Sequence, residues 1–223
     1  MKISSILMSR VLAFVDTEDL RPSAGIYGPE FVREIAGEFS FQKFPTTFVE
    51  FDVTKGIEFL NGRVGMRAIT KFVIWPNILV IEGQFNSNEC KESLGEILQW
   101  GKERFKLKYS PEMITHYAYV SDLSFSSTAP LLDVFPLFGK IAERTSEVLS
   151  EIWQEPIKYE MFDLKIGHDP LVRKWGIAPF QISRRAEHKF DSGKYFSEAP
   201  LPTDEHIALL EEYEAGVLAL SEK

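Results

Sequence analysis

The chain has 223 residues, 44% hydrophobic and 26% charged, with 12 Pro and 14 Gly, proportions that exclude a disordered, collagen-like or low-complexity polymer and fit a globular protein. A formal net charge of −8 repels phosphate backbones, so nucleic-acid or anionic-membrane binding is not expected. The single cysteine, Cys90, cannot form an intrachain disulfide or a thiolate metal cage, which points to a reducing, cytoplasmic setting.

Residues 1–15 are moderately apolar but are broken by Ser4, Ser5, Ser9 and Arg10, and no small-residue cleavage site follows, so a secretory leader is not expected. Nor does any run reach the roughly 18 apolar residues of a membrane-spanning helix. Period-2 alternation predicts strands at residues 10–16, 47–53, 66–75, 78–85, 116–125, 157–166 and 180–185, with a short one at 57–60. Residues 68–75 and 78–85 are separated by Pro76-Asn77, the signal of an antiparallel hairpin.

Helical spacing predicts helices at residues 30–39, 88–105 and 131–153, and a last one after Thr203. The second carries Cys90, Leu94, Ile97, Leu98, Gly101 and Phe105 on one stripe, behind a cap at Asn86 or Ser87. The third lines up Val134, Phe138, Ile141, Thr145, Val148, Leu149 and Ile152. The last buries Ile207, Leu210, Tyr213, Val217 and Leu218 and places Asp204 and Glu205 at the positive end of its dipole.

Strands in groups with helices between them, rather than strict alternation, predict an α+β fold with a largely antiparallel sheet packed by three to four helices. The halves look loosely alike. The pattern is read either as one domain over residues 1–223 or as two similar lobes meeting at a seam near residues 106–113.

Nucleotide-loop, nucleophile-elbow, zincin and calcium-loop motifs are all missing, and nothing in the sequence names a cofactor. The hydroxyl-rich stretch of Ser121, Ser124, Ser126, Ser127 and Thr128 reads first as strand-edge chemistry. Of the four histidines, His168 beside Asp169 and His188 near Arg184-Arg185 are the best placed for tuning by neighbouring charges. Asp163-Leu164-Lys165, preceded by Glu160, matches the D-x-K core of metal-dependent nucleases, in which carboxylates hold Mg²⁺ and the lysine supports the attacking water. Asp163 and Lys165 share a strand face, and Asp133 or Asp122 would have to supply a further carboxylate.

The charge is unevenly spread. Residues 165–194 carry a local net of +4, and residues 195–223 a local net of −6. Within the basic stretch Arg184, Arg185 and His188 are interleaved with Phe180, Phe190, Tyr195 and Phe196, the composition of interaction hot spots and anion-binding surfaces. The simpler reading puts the aromatics in the core and pairs the arginines with glutamates of the last helix. Eighteen Phe residues need burial or a self-association surface, and Trp75 at the hairpin tip is a candidate contact. The favoured expectation is a non-enzymatic interaction protein, forming a homo-oligomer or binding a protein partner, with Arg184, Arg185, His188 and Trp75 as contact residues. The alternatives are a metal-dependent hydrolase or nuclease using Glu160, Asp163 and Lys165, and a small anionic-ligand binding module using Arg184, Arg185 and His188.

Overall fold

The computed structural model describes residues 1–169, 171–172 and 176–221; Arg173 and Lys174 of the basic stretch, and Glu222 and Lys223 of the acidic one, lie outside them. The fold is α+β, with four helices and eight antiparallel strands among the described residues. In chain order these are β1 (Lys2–Phe14), α1 (Gly28–Glu38), β2 (Ile57–Val64), β3 (Arg67–Ile74), β4 (Ile78–Gly83), α2 (Ser87–Phe105), β5 (His116–Ser126), α3 (Pro136–Trp153), β6 (Asp163–Ile166), β7 (Phe180–Arg184), β8 (Lys194–Ala199) and α4 (Thr203–Ser221).

The succession strand, helix, three strands, helix therefore occurs twice. The first run lays its strands in the order β2-β3-β4-β1 and the second in the order β6-β7-β8-β5, so each run sets its first strand beside its last and steps outward to its second. The likeness of the halves read from the sequence has its counterpart in this repeated path. The chain divides into two compact units: an N-terminal unit of Ile6–Ser121 with Leu201–Asp204, and a C-terminal unit of Met1–Ser5, Asp122–Pro200 and Glu205–Lys223.

In the N-terminal unit the expected hairpin pairs Ile74 with Leu79, Val73 with Val80 and Phe72 with Ile81. Helix α2 begins in a reciprocal cap: the Asn86 side chain accepts from the Asn88 N–H at 2.8 Å while Glu89 accepts from the Asn86 N–H at 3.3 Å. Its buried stripe of Cys90, Leu94, Ile97 and Leu98 joins Val32, Ile35 and Ala36 of α1, and Phe59, Phe72 and Ile81 of the strands, in one apolar core. Aromatic rings fill much of it, with Phe41 at 5.3 Å from Phe59, Phe59 at 5.7 Å from Phe72 and Phe39 at 5.4 Å from Trp100. Burying each such ring contributes about 1.5–3 kcal/mol.

Two predicted strands are corrected. Residues 47–53 hold short 3₁₀ turns at Phe48–Glu50 and Val53–Lys55 instead. Glu50 accepts from the Thr46 and Thr47 N–H groups at 2.8 and 2.9 Å, and Asp52 from Thr54 N–H at 3.0 Å, so carboxylates capture the donors that a strand ladder needs. In the stretch 157–166 only Asp163–Ile166 is strand. The Ile157 and Tyr159 N–H groups donate to Ser150 Oγ at 2.9 Å and Ser146 Oγ at 2.8 Å on α3. Strand β8, which pairs with β7 through Ile182–Ser197 and Arg184–Tyr195, was not expected at all, because its apolar residues read as an interaction segment. Strand β1 starts at Lys2 rather than at Arg10.

Candidate interaction surface

Helix α3 has the most strongly segregated apolar stripe of the C-terminal unit, and it buries no residue. Phe138, Ile141, Val148 and Ile152 are all exposed, Ile141 at 54%, and Thr145 and Leu149 are half-buried. The stripe read from the sequence is therefore open rather than covered. What attaches the helix is its neighbouring serine face, through Ser146 to Tyr159 and Ser150 to Ile157. Nearby apolar side chains add to the open surface, with Phe135 packed edge-on against Phe138 at 6.1 Å and Tyr159 and Phe162 exposed. Contiguous exposed apolar surface of this kind marks contact sites in soluble proteins.

Arg184 occupies the opposite situation. It is only 5% exposed, and its guanidinium is fully engaged within the C-terminal unit. Nε donates to Met161 O at 2.8 Å, Nη1 to Phe190 O at 2.9 Å, and Nη2 to both carboxylate oxygens of Asp133 at 3.2 and 3.3 Å. Glu160 stands 3.9 Å away, and the Phe190 ring lies 4.7 Å beneath the cation. The arginine thus ties three loop segments to β7. Its partners are Asp133 and Glu160, not glutamates of the last helix.

The remaining candidates are dispersed. Arg185 donates to Ser124 Oγ from its side chain and to Lys194 O at 3.0 Å from its backbone N–H. His188 is exposed in the turn that follows. Trp75 is 38% exposed at the β3–β4 tip, where its ring closes over Gly56. A Cβ on Gly56 would sit 2.7 Å from that ring, and its φ of 81° is left-handed, so glycine is required there twice over. Asp163 and Lys165 lie exposed on β6, opposite Ser183 and Gln181. Glu160 pairs with Lys158 at 3.1 Å and stands near Arg184. Among the described residues no three His, Cys, Asp or Glu side chains gather as metal ligands.

The sequence reading overlooked one polar pair. Ser197 Oγ lies 2.8 Å from His206 Nε2 and donates to Gln181 O at 2.7 Å, with both residues at zero exposure. The serine hydroxyl thus bridges the Gln181 carbonyl and the imidazole. The pair fastens α4 to β7 and β8. The hydroxyl-rich stretch is likewise structural, with Ser127 donating to Glu214 and accepting from the Ala129 N–H at 2.9 Å. Cys90 is no nucleophile. Burial, reinforced by the charges of Glu89 and Glu82, pushes its thiol up to about 12. Among the described residues no helix is long and apolar enough to cross a membrane. The chain matches no protein-family model and no curated protein sequence.

Proposed function

We propose that this chain is a cytoplasmic, non-enzymatic interaction protein that works by self-association, with α3 as its contact element. The observation that carries the proposal is an amphipathic helix of 18 residues with no buried residue, since such a helix gains most of its stability from covering its apolar face. The occupant we assign is a second copy of α3, for two reasons. The spacing Phe138, Ile141, Thr145, Val148, Ile152 follows the 3-4-3-4 rhythm of a coiled-coil seam. In an antiparallel pairing that sets Thr145 against Val148 and Ile141 against Ile152 of the second copy, Arg144 of each helix faces Glu151 of the other. Both are exposed, and Arg144 holds only the surface residue Glu147 at 2.8 Å, a pair weak enough to exchange.

The test is a charge swap followed by light scattering on the purified full-length protein. Arg144→Glu alone and Glu151→Arg alone are expected to be monomeric, their equimolar mixture to form a dimer, and the double variant to dimerise like the wild type. A wild-type chain that stays monomeric at high micromolar concentration overturns self-association. A dimer indifferent to all of these charges overturns the α3 pairing.

A further inference from the structure

We infer that the N-terminal unit binds a small apolar molecule bearing a carboxylate. Helices α1 and α2 and strands β2 to β4 enclose a cavity of about 270 Å³, walled by residues such as Leu20, Phe31, Ile35, Phe72, Leu98 and Trp100. Protein interiors are normally packed to crystal density with few voids larger than a water molecule. An apolar cavity of about half this size already stays dry and takes up benzene. The space here suits a ring with a short chain, or a medium-length alkyl chain.

The rim decides what the other end of the ligand carries. Thr17 supplies the lining's hydroxyl and Arg21 its charge. The Thr17 hydroxyl is spent on Pro76 O at 2.9 Å. Among the described residues Arg21 pairs with Glu18 alone, at 2.9 Å, and both side chains are more than half exposed. An exposed pair of that kind contributes little, so a ligand carboxylate can replace Glu18 on the guanidinium without stranding a buried charge. The planar fork also suits a carboxylate better than it suits an alcohol or an amide. In a chain of net charge −8, a cation at the mouth of an apolar chamber selects for an anionic head that the surface as a whole would repel. This reading is independent of the α3 proposal.

The experiment titrates the full-length protein with decanoate and, in parallel, with decanol, following melting temperature and calorimetric affinity. Both are expected to raise the melting temperature, because a ligand held only by the folded state stabilises it. Decanoate should bind at least about five-fold more tightly than decanol. Arg21→Gln should weaken decanoate by about that factor and leave decanol unchanged. Leu98→Phe, which fills the chamber, should weaken both. The inference is overturned if neither compound shifts the melt, if the two bind equally to the wild type, if the preference survives in Arg21→Gln, or if a folded Leu98→Phe binds as before.

Discussion

Helices α1 and α3 hold the same place in the two runs of the chain, each following the first strand and preceding the next three. Both have a well-segregated apolar stripe, yet α1 buries Val32, Ile35 and Ala36 and α3 buries nothing. The strands of the two runs differ as well. The N-terminal strands present Ile57, Phe59, Phe72, Ile74, Leu79 and Ile81 to the core. Buried positions on β7 and β8 are Ile182, Arg184, Tyr195, Ser197 and Ala199, a set of mostly small or polar groups. One topology thus yields a helix that completes a core and another that keeps its apolar face outward. Amphipathicity tells which side of a helix is apolar, and the composition of the opposing sheet tells whether that side is satisfied within the chain.

The sharpest way to break this comparison is to place the same charge on both helices. Val32→Asp puts an unpaired carboxylate into a fully covered site and should cost about 3–5 kcal/mol, enough to unfold the unit in a urea titration. Ile141→Asp should change monomer stability by no more than about 0.5 kcal/mol while abolishing the dimer. Equal losses at the two positions would mean that α3 is as embedded as α1.

A smaller effect sharpens the account of the polar C-terminal unit. Arg184→Met keeps most of the side-chain volume but leaves the Met161 and Phe190 carbonyls and Asp133 without their donor. Because Asp133 is half-exposed, the cost falls mainly on the carbonyls, about 2–3 kcal/mol by denaturant unfolding. A neutral result would reduce the arginine cluster to incidental contacts.

At about pH 10, a smaller change is expected in the N-terminal unit. The Cys90 thiol is raised from an ordinary value of 9.0 to about 12, so the fold prefers the protonated form. Its contribution is intact below pH 9 and is lost as pH climbs from there toward 12. The melting temperature should therefore hold up to about pH 9 and fall above it, with a shallower fall in Cys90→Ala. An identical slope in the variant would assign the fall to other groups, among which the hydroxyls of buried Tyr109 and of half-buried Tyr117 and Tyr119 are also raised by desolvation.

Much of this architecture was legible beforehand. The β3–β4 hairpin and α2 could be read because turn chemistry, cap and periodicity agree there. Residues 47–53 misled because local side-chain hydrogen bonds to the backbone do not disturb an apolar alternation. Strand β8 was hidden by Tyr195 and Phe196, whose neighbouring arginines suggested a surface. Arg184 is bound within its unit by two carbonyls and a carboxylate, a setting that composition cannot distinguish from a guanidinium offered to a partner. The exposed face of α3 was invisible for the reason the two helices teach.

Two serine hydroxyls, rather than leucines, clasp α3 to the segment that follows it. Apolar adhesion weakens on cooling and strengthens with excluded salts such as sulfate. A hydrogen-bonded clasp carries little of the heat-capacity change that makes it do so. Detachment of α3 should accordingly register as an enthalpy step of nearly constant size across temperature, separable by calorimetry from the strongly curved melting of the Phe-rich core.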